Sequence, residues 1–241
     1  MIVVAVDTAT NRLSVAAGER GGGGKVAVRL AEGARRHTSL LVGFVDQALG
    51  ELGVTLGQVE AIAVSDGPGS FTGLRVAAAW AKGLIRARGL TLWTASTLLV
   101  RAWPHARPGE TAFGVGTALR GEVYLGGYQF DGSRIETLVA PLVLPIGAVP
   151  PGLVEPDLVV TDFEESAMGR WRWPGTPRII GAPAGLPNAV ALIELLGVPG
   201  GALRVDDPAG WEPRYGRLAE AQVRWEQAHG QSLLDSTGDR R

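Results

Sequence analysis

Cysteine is absent from the 241 residues, which excludes a disulfide framework, a thiolate zinc site and a cysteine nucleophile, and fits a reducing compartment. Histidine is scarce: His37, His105 and His229 lie far apart, and none has a partner at metal-ligand spacing. No basic run exceeds a pair of arginines, and 23 basic residues stand against 24 acidic ones. Independent tight binding to nucleic acid is therefore disfavoured, because neutralising phosphate needs clustered Lys and Arg. The opening MIVVAVDTAT has no basic leader, and its apolar run is too short for a signal peptide or a membrane span. The expectation is a cytoplasmic protein with no membrane contact.

What is present is an ordinary globular composition. Hydrophobic residues make up 46% of the chain, enough for a real core in one large domain or two smaller lobes. Residues 2–6 form a β-branched run ending on Asp7, and 13–17 and 25–30 follow as strands, with the tetraglycine 21–24 as a hairpin tip. From Thr38 the period changes: Leu40, Leu41, Phe44, Val45, Ala48, Leu49 and Leu52 recur at helical spacing, and Gly53 supplies a stop. Residues 61–64 read as a buried strand, 72–88 as a second helix closed by Gly89, 91–94 as a strand, and Ser96 as the cap of a short helix. The second half repeats this more loosely. It has strands at 112–115, 123–130, 134–139 and 158–160, irregular passages at 144–156 and 199–213, and helices at 188–196 and 218–228 before a frayed tail. The series suggests two related α/β lobes.

Residues 64–83, VSDGPGSFTGLRVAAAWAKG, run a glycine-rich turn straight into a helix. Such turns often hold phosphate, since a helix N-terminus offers free N–H groups and a partial positive charge. Gly67, Pro68 and Gly69 equally make a sharp turn after which Ser70 or Thr72 caps the helix, and that needs no ligand. Asp7-Thr8-Ala9-Thr10 poses the same choice. Asp7, Thr8 and Thr10 either help cradle a nucleotide phosphate with its magnesium, or close the hairpin on its own backbone. On the second helix Gly73, Ala77, Ala78 and Ala81 form a small side flanked by Leu74, Trp80, Leu84 and Ile85. This pattern admits a partner helix at close range or covers the chain's own sheet. Arg75 and Lys82 project from nearly the same side, as solvated charges or as contacts to a partner or RNA. Trp171, Trp173 and Trp225 lack interleaved basic residues and read as lobe packing.

The segments VAVDTAT, RRHTSLLVGFVDQAL, AIAVSDGPGSFTGLRVAAAWAKGL and RGEVYLGGY, with EPRYGRLAEAQ near the C-terminus, resemble the TsaB (YeaZ) family. The resemblance is dense in the first part of the chain and sparse afterwards, and GPGSFTGLR is its most specific portion. It implies an α/β, two-lobed actin and sugar-kinase-like (ASKHA) fold with a duplicated mixed sheet flanked by helices. The first lobe would span 1–102 and the second 103–208, with a helix in 209–230 returning to the first lobe and a flexible tail over 231–241. It further implies a non-catalytic scaffold that binds and activates a TsaD-type enzyme in threonylcarbamoylation of adenosine 37 of tRNA. The partner interface would comprise Leu41, Phe44, Val45, Ala48, Gly73, Leu74, Ala77, Ala78, Ala81, Lys82 and Ile85, shaped by the loop Gly67 to Ser70 with Thr72 and Arg75. ATP and metal are expected on partner proteins rather than on this chain, and a TsaE-type ATPase is a further partner. tRNA is reached only through the complex, and the isolated chain is expected to form a homodimer.

Catalytic relatives carry a histidine pair at HxxxH spacing after the strand that follows the second helix, where two imidazoles on one helix face hold a metal. The matching place here reads TASTLLV over 94–100, without histidine or carboxylate. Where ATPases of this fold have a DxG-type loop, residues 115–120 read VGTALR, and the family's usual Asp-Ala-Arg-Arg has Thr117 in place of its aspartate. In Val160-Thr161-Asp162-Phe163 a glycine-rich nucleotide turn is missing, and Phe163 is expected to crowd a base. The rival reading, an ATP-dependent kinase-like enzyme or a metal-independent peptidase, needs a nucleotide pocket or a nucleophile beside a base.

Overall fold

The computed structural model describes residues 1–20, 24–33, 37–150, 152–168, 171–216 and 229. The N-terminal valine run forms β1 (Ile2–Asp7), which sits inside the first sheet with both faces covered. Val3 and Ala5 on one face and Val4 and Val6 on the other are fully buried, so the run is apolar without alternation. β2 (Arg12–Glu19) and β3 (Ala27–Glu32) continue as an antiparallel meander, followed by α1 (His37–Glu51), β4 (Val59–Ser65), α2 (Phe71–Arg88) and β5 (Thr91–Ala95). β4 lies parallel to β1 and β5 parallel to β4, giving the order β3-β2-β1-β4-β5.

After α3 (Thr97–Ala102) the same plan returns. β6 (Thr111–Thr117), β7 (Glu122–Phe130) and β8 (Ile135–Pro145) form a meander. β9 (Leu158–Thr161) and, beyond the short α4 (Glu165–Met168), β10 (Arg178–Ile180) add in parallel. The order β8-β7-β6-β9-β10 reproduces that of the first sheet, which is the duplicated two-lobed architecture implied by the resemblance. β8 runs into the proline-rich stretch because it is an edge strand, where Pro141 and Pro145 can face away from the ladder.

The chain then forms α5 (Ala189–Leu195) and β11 (Leu203–Val205), which pairs antiparallel with β5. A strand inside the stretch assigned to the second lobe therefore belongs to the first sheet, and the return begins before residue 209. β10, β11 and α4 had no counterpart in the sequence reading, being too short to display a period. Of the stretch 209–230 in which a helix is expected, residues 209–216 and 229 are described: 229 is helical, whereas 209–216 are not and lie along α2 instead. The helix over 218–228, Trp225, the tail and the glycines 21–23 fall outside the described residues.

The helices between the lobes are exchanged. α3 leaves the first sheet and packs on β6, β7 and β9, whereas α5 leaves the second sheet and packs on β1, β2 and β4. α3 comes so close to β6 that a Cβ on Gly114 would strike the Leu98 carbonyl. Leu98, Leu192, Ile193, Val160 and Tyr128 belong to this shared core. A second cluster lies under α1 and α2. A third covers the outer face of the second sheet with Phe113, Met168 and Trp171, and Trp173 stacks on Trp171 at 5.4 Å, so both tryptophans are lobe packing. Among the described residues no helix is long and apolar enough to cross a membrane.

Candidate functional site

The glycine-rich turn is shaped by the chain's own groups. The Ser70 hydroxyl accepts the Gly73 N–H at 3.2 Å and caps α2, while Thr72 is exposed in the first turn, so Ser70 alone of the two expected residues is the cap. The Thr8 hydroxyl donates to the Gly73 carbonyl at 2.7 Å, and the Ser70 N–H donates to the Ala9 carbonyl at 2.7 Å. A Cβ on Gly73 would run into the Thr8 carbonyl oxygen. Asp7 is fully buried, accepts the Ser65 hydroxyl and, at 3.2 Å, the Ala9 N–H, and its carboxyl is pushed above the ordinary range by burial. The Thr10 hydroxyl accepts the Arg12 N–H at 3.2 Å. The turn thus closes on backbone, and additionally hooks onto α2. Of Asp7, Thr8 and Thr10, only Thr10 borders the cavity between the lobes.

That cavity measures about 740 Å³ and is walled by Thr10, Ser70 and Phe71 from the first lobe and Thr117, Tyr124 and Asp162 from the second. Asp162 accepts the Thr117 N–H at 2.9 and 3.1 Å and the Thr117 hydroxyl at 3.0 Å. Arg101, 2% exposed, lies 3.4 Å from Asp162 and donates to the Val115 carbonyl. These charge-assisted bonds tie the two second-lobe loops together. Asp162 thereby occupies the Thr117 N–H of the β6–β7 loop. The expected crowding by Phe163 is not found: its ring packs in the cluster on the outer face of the second sheet and does not border the cavity.

The expected helix interface needs correction. Leu41, Val45, Ala48, Ala77 and Ala81 belong to the core beneath α1 and α2, and Gly73, Leu74 and Ala78 are buried as well. A partner cannot reach them, because the small face of α2 is the one that lets the helix sit close on its own sheet. Phe44 and Ile85 are half-buried. Lys82 is engaged within the chain, bonding the Glu212 carboxylate at 2.8 Å and the Ala209 carbonyl at 3.2 Å. Arg75 lies 4.2 Å from the Phe71 ring centre and 5.8 Å from that of Tyr215. The segment 209–216 is thus a strap over α2, and the Tyr124 hydroxyl of the second lobe holds it by donating to the Tyr215 carbonyl at 3.3 Å. The outward residues include Val42, Gly43, Asp46, Gln47 and Gly50 on α1 and Ala79, Gly83, Arg86 and Ala87 on α2. A Cβ added at Gly43, Gly50 or Gly83 meets nothing within 4 Å.

Sequence reasoning passed over Asp66, inside the most familiar motif. It is 5% exposed, its carbonyl accepts the Arg214 N–H at 2.6 Å, and its carboxylate lies 3.4 Å from the Arg214 guanidinium. Burial pushes its carboxyl up to about 6 against the pull of Arg214. Between about pH 4 and 6 the folded chain therefore keeps a proton that the unfolded chain has released. The associated stability is fully present below about pH 4 and is lost as the pH rises through about 6, by on the order of 2 kcal/mol. Urea denaturation at about pH 4 and pH 7.5 should show a loss larger by that amount in the wild type than in Asp66→Asn, where Asp7, also raised by burial, still contributes. Parallel pH profiles for the two proteins would contradict the assignment.

A family model described as "TsaD: tRNA N6-adenosine threonylcarbamoyltransferase" matches residues 30–158, just over half of the chain. The tRNA threonylcarbamoyladenosine biosynthesis protein TsaB of Escherichia coli is 33% identical over 152 residues, covering 60% of this chain and 64% of that protein. The chain therefore spans slightly less than two thirds of that relative's length. An uncharacterized Mycobacterium bovis protein is 32% identical over 220 residues, covering 91% and 93% of the two chains. The solved structure of YeaZ from Pseudomonas aeruginosa matches with a TM-score of 0.68 at 29% identity, over 81% of this chain and 90% of that one.

Proposed function

Because the chain belongs to the TsaB (YeaZ) family, we propose that it takes part in tRNA threonylcarbamoyladenosine biosynthesis as a non-catalytic scaffold that binds and activates a TsaD-type subunit. The observation that carries this reading is the internal use of both loops where a kinase-like ATPase would hold phosphate. Thr8 and Ala9 are bonded to the start of α2, and the Thr117 N–H is bonded to Asp162. A phosphate entering there would have to displace a carboxylate already satisfied by three donor groups.

The outer side of α1 and α2 remains for a partner. Gly43, Gly50, Ala79 and Gly83 are small enough to let the helices of a similarly built subunit approach closely. In this reading ATP and metal belong to the partner proteins, a TsaE-type ATPase joins the assembly, and tRNA is met through the complex in the cytoplasm. A second copy of the chain uses the same face when the catalytic subunit is absent.

Reconstitution tests the proposal. tRNA threonylcarbamoylation by the cognate TsaD-type subunit should depend on this chain. The chain alone should give no saturable calorimetric heat with micromolar ATP and magnesium, and should carry no stoichiometric zinc or iron. A tight, magnesium-dependent nucleotide site on the isolated chain, or full activity without it, would overturn the scaffold reading.

A further inference from the structure

Beside the strap, and sharing Pro68 and Tyr124 with the wall of the large cleft, lies a second cavity of about 210 Å³. Asp66 and Pro68 of the glycine-rich loop form one wall, Leu142 and Val143 of β8 another, and Arg214 contributes from the strap. The Asp66 Oδ1 atom is buried and has no hydrogen-bond partner among the described residues. Such an orphan acceptor is uncommon in folded proteins and calls for a donor. Arg214 touches the other carboxylate oxygen only through Nε, at 3.4 Å, and its side chain is 70% exposed. Its remaining guanidinium N–H groups have no partner among the described residues.

A negative and a positive group with spare hydrogen-bonding capacity thus border one small hollow whose other surfaces are largely apolar. A simple cation would meet Arg214 and a simple anion would meet Asp66, so each is repelled by one end. A zwitterion satisfies both.

We propose that this cavity binds a small free α-amino acid with a short apolar side chain. Its ammonium group donates to the Asp66 carboxylate, whose Oδ1, sealed from solvent in the free chain, turns toward the cavity on binding; its carboxylate accepts from the Arg214 guanidinium, and its side chain rests on Pro68, Leu142 and Val143. At pH 7.5 the Asp66 carboxyl, raised to about 6 by burial, is ionised and ready to accept.

The test is calorimetric and NMR titration of the full chain at pH 7.5 with L-alanine, L-valine and L-leucine, together with isobutylamine and isovalerate, which lack the carboxylate and the ammonium of valine. At least one amino acid should bind saturably, with a dissociation constant of about 1 mM or below. The amine and the acid should each bind at least about tenfold more weakly than valine. Arg214→Gln, at an exposed side chain, should keep the circular dichroism spectrum and lose at least about tenfold in affinity, and Asp66→Asn should do the same. Absence of saturable binding by all three amino acids at about 10 mM would overturn the proposal. So would isobutylamine binding as tightly as valine, or an Arg214→Gln variant with unchanged affinity.

Discussion

Gly73→Ala and Gly83→Ala, two identical replacements in one helix, are expected to shift stability in opposite directions. At Gly73 the new methyl group would run into the Thr8 carbonyl oxygen, and the fit between the Asp7–Thr10 turn and α2 leaves nothing flexible to yield. Overpacking against backbone, with loss of the Thr8 to Gly73 hydrogen bond, should cost about 3 kcal/mol. For a chain of this length that is a fall of roughly 6–12 °C in Tm. At Gly83 the methyl meets nothing, so the lower backbone entropy of alanine in the unfolded chain should raise stability by about 0.5–1 kcal/mol. Thermal denaturation followed by circular dichroism checks both. A Gly73→Ala protein as stable as the wild type would show that the turn is not locked to the helix.

The second large effect concerns the partner. Ala79→Arg should leave the fold intact, because residue 79 is exposed and arginine is a good helix former. It should weaken association with the cognate TsaD-type subunit by at least about 100-fold, by placing bulk and an unpaired charge in a desolvated contact. It should also convert the isolated chain from dimer to monomer in light scattering. Ala78→Arg, the change that the small-residue pattern would suggest, should instead prevent folding, since Ala78 is 5% exposed and faces inward. A folded Ala79→Arg chain that binds its partner normally would remove α2 from the interface.

The contrast between Ala78 and Ala79 marks how far the sequence alone could be read. Strands such as β1 and β4 and the helices α1, α2 and α5 were legible because their apolar runs, periods, caps and closing glycines agree with one another. The duplication could be suspected from element order, and the sheets confirm it strand by strand. The orientation of α2 was not legible. It has small residues on two sides, Ala77, Ala78 and Ala81 inward and Ala79 and Gly83 outward, and composition does not say which side meets the sheet. Nor could the sequence place Lys82 against Glu212, or Asp162 against Thr117, because nothing local records pairs separated by 130 and 45 residues. Phe163 followed from the same gap: its position in a turn was clear, and the side of the sheet its ring would take was not.

The exchange of α3 and α5 between lobes has a consequence in time. During synthesis the last strand of the first lobe's central run, β5, is complete at Ala95, whereas the helix that covers the Val3, Ala5, Ala61 and Ala63 face ends at Leu195, roughly 100 residues later. At translation speeds of about 5–20 residues per second, that apolar face waits for roughly 5–20 s on the ribosome without its native cover. During that interval the nascent first lobe presents an uncovered apolar face on which aggregation can start. A fragment ending near residue 102 would remain in that condition permanently.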